Sequence, residues 1–237
     1  MFTVMQLFHH SNAEEGAFTL PQDESKHVVR VLRKSVGDLI HVTDGKGRLF
    51  EATIAEANKN RCELDLKLKE ASAPMDPALS LVIAPTKSSD RMEWLLEKAV
   101  EIGISRVVLV KSAHSERQKV KPERWERIMI SAMKQSLRYH LPEISEIQDL
   151  SSVLGDFQAD QKFIAHCDGD DRLPFIKSCK PGLSTAIAIG PEGDFSSEEV
   201  EIARSNGWKG VTLGDRRLRT ETAALVSIDA FQWIQQM

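Results

Sequence analysis

The hydrophobic period of this 237-residue chain changes once, at a proline-containing seam. The seam is KEASAPMDPAL, residues 69–79, where two prolines and small residues separate two patterned regions as a linker does. Before it, apolar residues alternate with a period of two. GDLIHVTDG (37–45) and RLFEATIAEA (48–57) flank the turn Asp44-Gly45-Lys46-Gly47, which reads as a hairpin. RCELDLKLKE (61–70) places Cys62, Leu64, Leu66 and Leu68 on one face. ESKHVVRVLRK (24–34) predicts a short helix that exposes Lys26, His27, Arg30, Arg33 and Lys34. These signals predict a small β-barrel domain over residues 1–72, whose basic helix touches phosphates or is simply solvated.

After the seam, strands alternate with helices. LSLVIAP (79–85) is a continuous apolar run of the kind buried in a parallel sheet. DRMEWLLEKAVEIG (90–103) reads as a helix: Asp90 and Glu93 have capping-box spacing, Met92, Leu95, Leu96, Ala99 and Val100 share a face, and Gly103 ends it. RVVLV (106–110) is the next strand, and PERWERIMISAMKQSLR (122–138) is a helix opened by Pro122. KFIAHC (162–167), LSTAIAIG (183–190) and GVTLG (210–214) give three more strands, with helices at 196–206 and about 220–235 after the last two. This alternation predicts an α/β domain with a mainly parallel sheet over residues 73–237.

Composition narrows the function classes. No apolar run approaches the ~18 residues of a membrane span. Cys62, Cys167 and Cys179 are scattered and form no CxxC, so neither a disulfide framework nor a zinc site is expected. The opening MFTVMQLFHHSNAEEG lacks a basic segment followed by a long apolar one, so a cytoplasmic protein with idle thiols and no metal is expected. A net charge of −4 does not mark a nucleic-acid binder, but its distribution is uneven. Residues 106–138 hold nine Lys/Arg against three Asp/Glu, and residues 139–201 hold four against thirteen. Such a basic segment guides a polyanion, or it is a solvated helix face.

Two strand-to-helix loops carry the chemistry. In AIAIGPEGDFSSEEVEIARSNG (186–207), Ser196 and Glu199 form a capping box, so Gly190–Asp194 is a loop at the carboxyl end of a strand. Ligands of open α/β sheets bind there. The Walker and dinucleotide motifs are both absent, and Glu192 and Asp194 suit a neutral or cationic ligand better than a phosphate. The plain alternative is a tight connecting turn. In GVTLGDRRLRTETAAL (210–225), Arg216, Arg217 and Arg219 crowd beside Glu221, and Thr220 or Thr222 can cap the next helix. Three arginines in four residues hold phosphates or a polarised base, or form a salt-bridged surface. On the helix 122–138, Trp125, Ile128, Met129, Ala132 and Met133 share one face. Arg124, Arg127, Lys134 and Arg138 form a stripe opposite, which can follow a nucleic-acid backbone.

Taken together, IGPEGDFSSEEV, LGDRRLRTETAAL, DRMEWLLEKAVEIGI, HSERQ with AMKQSLRYHLPEI, and HVVRVLRKSVGD resemble the ribosomal RNA small subunit methyltransferase E family over nearly the whole chain. The resemblance implies S-adenosylmethionine-dependent methylation of N3 of a uridine in 16S ribosomal RNA of the small subunit. It also implies an N-terminal PUA-like barrel, a C-terminal SPOUT domain with a trefoil knot, and a homodimer. The cofactor would lie among three loops, at Ala165–His166, Ile189–Gly193 (with Gly190, Pro191 and Glu192 between) and Leu213–Leu218, which includes Gly214. Arg219 and then Arg216 would stabilise charge on the uracil, and Glu221 or Glu192 would accept the N3 proton, with His166 a weaker base. Lys26, Arg30, Arg33, Lys34, Arg124, Arg127, Lys134, Gln135 and Arg138 would meet RNA, and Gln135 and Arg138 alternatively the partner subunit. Two positions depart from the family pattern: Asp194 stands where a second glycine is usual, and Arg217 where isoleucine is common. These two can pair, or they alter the pocket rim. The competing readings are a non-catalytic RNA-binding ribosomal adaptor and a knotted methyltransferase acting on another RNA.

Overall fold

The computed structural model describes residues 5–117, 120, 122–167, 169 and 172–237. The chain divides into two compact units, Met1–Pro74 with Met133–Leu141, and Met75–Ala132 with Pro142–Met237. The period change assigned residues 133–141 to the second domain, whereas they pack with the first. The backbone explains this. Gly47 N–H donates to the Tyr139 carbonyl at 2.9 Å and Leu141 N–H to the Gly45 carbonyl at 2.8 Å, so the segment satisfies groups that the hairpin turn leaves open.

The first unit contains β1 (Leu7–His9), β2 (Gly16–Thr19), α1 (Gln22–Lys26), β3 (Leu39–Thr43), β4 (Arg48–Glu56) and β5 (Glu63–Ala71). The five strands form one sheet in the order β1-β3-β4-β5-β2, antiparallel except for β1 with β3. Phe8, Leu20, Val28, Ile40, Val42, Phe50, Ile54, Cys62, Leu64 and Leu66 fill its core. Leu68, expected on that face, is 44% exposed, and it pairs beside the register shift between Leu49 and Phe50. The helix expected over 24–34 starts at Gln22, continues past α1 as a π-helical turn (His27–Val31), and stops before Arg33, whose φ is 53°.

The second unit contains β6 (Leu79–Ile83), α2 (Ser89–Ile102), β7 (Arg106–Lys111), α3 (Pro122–Gln135, its last turn in the first unit), β8 (Glu143–Ile144), β9 (Gln148–Asp149), α4 (Leu150–Asp156), β10 (Gln161–Ala165), β11 (Leu173–Pro174), α5 (Phe175–Ser178), β12 (Thr185–Ile189), α6 (Ser197–Ser205), β13 (Lys209–Thr212) and α7 (Thr220–Ile234). All strand pairs are parallel, in the order β11-β13-β10-β12-β6-β7-β8, with β9 also on β7. Val82, Ala84, Val108, Val110, Ile164, Ala186 and Ala188 point to one side, against Leu150 and Leu154 of α4 and Val200 and Ala203 of α6. On the other side α7 packs on β6, β12 and α2. The continuous apolar strands are therefore covered on both faces.

Helix boundaries correct three expectations. Helix α2 begins at an N-cap Ser88, and Glu93 pairs with Arg124 at 2.8 Å instead of closing a capping box with Asp90. Helix α3 ends at Gln135, and Leu137 beyond it has a φ of 54°. Arg219 is the N-cap of α7 without a side-chain cap, and Thr220 is already helical. The Ser196–Glu199 capping box of α6 forms in full. None of the described helices is long and apolar enough to cross a membrane.

Candidate active site

Strands β13, β10 and β12 are neighbours, and Ala165 is level with both Ile189 and Val211. Their carboxyl ends therefore stop at one edge, and the three following loops leave together. A cavity of about 770 Å³ lies among them, a size typical of small-ligand sites. Ala165, His166, Cys167 and Arg172 come from the end of β10 and its loop, Ile189 to Asp194 from the end of β12 and its loop, and Val211 to Thr220 with Ala223 from the end of β13, its loop and the start of α7.

Every residue named from sequence on these loops thus lines one cavity: Ala165, His166, Ile189, Gly190, Pro191, Glu192, Gly193, Leu213, Gly214, Arg216, Leu218 and Arg219. Close approach explains two glycines. A Cβ on Gly190 would stand 3.1 Å from the backbone nitrogen of Phe195, and one on Gly210 only 2.8 Å from His166 Nε2.

The charges in the cavity are mixed. Arg216, Arg217 and Arg219 are exposed, and among the described residues none of the three has an ion pair. Glu192 Oε1 accepts the Lys87 N–H at 3.2 Å. Asp194 does not pair with Arg217. Its Oδ2 accepts the Cys167 N–H at 2.7 Å, and its Oδ1 accepts the Phe195 N–H at 2.8 Å. The Cys167 thiol is held above its ordinary pKa by burial and by the neighbouring Asp194 carboxylate, against the opposing pull of Arg217 and Arg172.

Glu221 is the candidate that the structure moves elsewhere. It is 6% exposed, does not line the cavity, and faces Arg91 of α2 with 3.7 Å between Nε and Oε1. Glu221 lies in the first turn of α7, and its Oε1 is turned toward Arg91 of α2. Sequence reasoning overlooked Cys167 and Arg172, which also line the cavity, and included Asp215 only within the Leu213–Leu218 loop. Following the first loop past its strand to residue 172 would have found both.

The expected RNA-facing residues fall into two groups. Lys26, Arg30 and Arg33 are exposed and Lys34 is half-buried. On α3 the basic stripe is broken. Arg124 is bound to Glu93, and Lys134 pairs with Glu24 at 3.1 Å while lying 5.4 Å above the Phe8 ring. Arg138 is half-buried beyond the helix end, and burial lowers its pKa. Arg127 and Gln135 remain exposed.

Comparison with known proteins decides the family. The RNA methyltransferase domain model matches residues 74–232, and the RNA methyltransferase PUA domain model matches residues 20–67. The ribosomal RNA small subunit methyltransferase E of Bacillus subtilis is 27% identical over 93% of this chain and 91% of its own length. The structure of the same enzyme from Neisseria gonorrhoeae, bound to S-adenosyl methionine, is 30% identical with a TM-score of 0.82, covering 97% of both chains. The chain belongs to the ribosomal RNA small subunit methyltransferase E family. A structure described as a probable rRNA methyltransferase from Porphyromonas gingivalis is more similar still, with 42% identity and a TM-score of 0.91 over 98% of this chain and 99% of that one. As a member of the family, this chain is an RNA methyltransferase with an N-terminal PUA-like domain.

Proposed function

We propose that the protein methylates N3 of one uridine in 16S ribosomal RNA of the small subunit, with S-adenosylmethionine as methyl donor, as a cytoplasmic homodimer. The observation that carries this reading is the cavity shared by three parallel-strand loops, which joins carboxylates and exposed guanidiniums at one edge of the sheet. Its volume, its apolar walls (Ile189, Val211, Leu213, Leu218) and its carboxylates (Glu192, Asp194, Asp215) fit an adenosine carrying a cationic sulfonium. The cofactor bound to the Neisseria relative supports the same assignment.

When bound, the cofactor supplies an electrophilic methyl group. The protein's part is positional and electrostatic. Loop residues Ala165–His166, Ile189–Gly193, and Leu213, Gly214 and Leu218 hold the donor through backbone groups, so that the two reactants meet in line. A neutral imide nitrogen is a poor nucleophile, so the N3 proton has to leave as the N–C bond forms. Arg219, with Arg216 beside it, stabilises the negative charge that develops on the uracil oxygens. Glu192 accepts the proton, because Glu221 faces Arg91 outside the cavity. Lys26, Arg30, Arg33 and Lys34 on the first unit contact phosphates and bring an unpaired nucleotide to the site.

Equilibrium titration with S-adenosylmethionine tests the cofactor assignment. Saturable binding of one molecule per chain supports it, and no binding at millimolar concentration overturns it.

A further inference from the structure

The loop that follows β7, residues 112–117, does not line the cavity, yet it is bonded to the wall that does. His114 sits directly behind Gly193: a Cβ on Gly193 would stand 3.0 Å from the His114 Cβ. His114 Nδ1 lies 3.0 Å from the Asp194 carbonyl oxygen. The carbonyl can only accept, so the hydrogen of that bond is on Nδ1. One residue earlier, the Ala113 N–H donates to Glu199 Oε1 at 2.7 Å, while Glu199 Oε2 accepts the Ser196 N–H at 2.8 Å. One carboxylate therefore caps α6 and anchors the β7 loop to it.

Arg117 acts on the same wall by a second route. Its Nε donates to the Thr86 carbonyl at 3.0 Å and its Nη2 to the Lys87 carbonyl at 2.6 Å. The Lys87 N–H then donates to Glu192 Oε1. The guanidinium thus fixes the loop after β6, whose backbone in turn fixes Glu192. Since β6 lies between β7 and β12, the β7 loop spans a whole strand to reach the 190–194 loop.

We propose that His114 and Arg117 are positioning residues that preset the 190–194 loop for the cofactor, an inference that rests on the cofactor assignment above. A loop ordered in advance loses less conformational freedom when its ligand binds. Neither residue touches the cavity, so each acts through Gly193, Asp194 or Glu192.

The test is a titration of S-adenosylmethionine into the wild-type full-length chain and the variants His114→Ala, His114→Asn and Arg117→Ala, with amide hydrogen exchange of residues 190–195 in the cofactor-free proteins. His114→Ala and Arg117→Ala should each bind about tenfold more weakly, and their loop amides should exchange faster while the melting temperature moves by no more than about 3 °C. His114→Asn should recover affinity to within about threefold of wild type, because an asparagine amide donates from nearly the same place as Nδ1. Wild-type affinity and exchange in both alanine variants would overturn the proposal, as would an asparagine variant no better than alanine. A wild-type protein that binds no cofactor would overturn the cofactor assignment and this role with it.

Discussion

The carboxylate of Asp194 accepts the backbone N–H of Cys167 at 2.7 Å, joining the loops after β12 and β10 across the mouth of the cavity. Asp194 does so at a φ of 64°, where glycine is the usual residue and aspartate one of the few tolerated alternatives. The same residue therefore carries a backbone cost and a compensating charged hydrogen bond.

Substitutions at Asp194 separate these two effects. Asp194→Asn keeps an acceptor oxygen and tolerates the backbone, so it should lower stability by less than about 1 kcal/mol. Asp194→Gly loses the bond but relaxes the backbone, and should cost about 1 kcal/mol. Asp194→Ala loses the bond and worsens the strain, and should cost about 2 kcal/mol or more. Urea unfolding followed by circular dichroism checks this order, and a glycine variant less stable than alanine would contradict it.

Cys167 reports the electrostatics of the same corner. It is exposed, whereas Cys62 and Cys179 are buried, so a small alkylating agent should label it selectively. Partial shielding of the thiol from water and the Asp194 charge raise its pKa, while Arg217 and Arg172 lower it. Asp194→Asn should therefore increase the thiolate fraction at pH 8 and speed alkylation several-fold, and Arg217→Gln should slow it. Rates from intact-mass spectrometry over pH 7 to 9 give the titration directly, and a slower reaction in Asp194→Asn would contradict the assignment.

The cationic residues predict two kinds of loss. Arg30→Ala and Arg33→Ala should weaken binding to small ribosomal subunits, each reducing the salt slope of log K by about one, without changing stability. Lys134→Ala should instead destabilise the protein by about 1 kcal/mol, because it leaves the half-buried Glu24 without its partner, and it should hardly change the salt slope. Filter binding at several salt concentrations together with thermal unfolding distinguishes the two, and a reduced salt slope in Lys134→Ala alone would reverse the assignment.

At the reacting base, Arg219→Ala should lower the methyl-transfer rate by about 10² to 10³, as loss of one charge-stabilising donor does, with folding retained. Glu221→Gln should leave the rate per folded molecule within about threefold of wild type, since its side chain faces Arg91, and its effect should appear in stability. Single-turnover kinetics at saturating cofactor and subunit measures both. A rate loss in Glu221→Gln comparable to that in Arg219→Ala would restore Glu221 as the base.

What could be read in advance depended on whether a signal was local. The Ser196–Glu199 cap was legible because the interaction closes within one turn, and the strands at 79–83 and 185–189 because apolar runs of that length are buried on both sides. The same spacing failed at Asp90 and Glu93, where Arg124, 31 residues on, takes the carboxylate. Strands β1 and β2 are three and four residues long and are defined only by distant partners at 41–43 and 63–66. Lys134 reads in the sequence as part of an RNA-facing stripe, because its partner Glu24 stands 110 residues away. The three site loops were legible because glycine, carboxylate and arginine cluster at strand ends. The HSERQ stretch of the loop 112–117 helped carry the resemblance, but its positioning role was not legible, because it acts through backbone carbonyls and a carboxylate elsewhere in the chain.

The most direct test is to incubate the protein with isotopically labelled S-adenosylmethionine and small ribosomal subunits from cells lacking this activity, and to map the label by nuclease digestion and mass spectrometry. The account predicts one labelled nucleotide, a uridine of 16S ribosomal RNA methylated at N3. Label on another base, on a ribose, or only on a different RNA would contradict it.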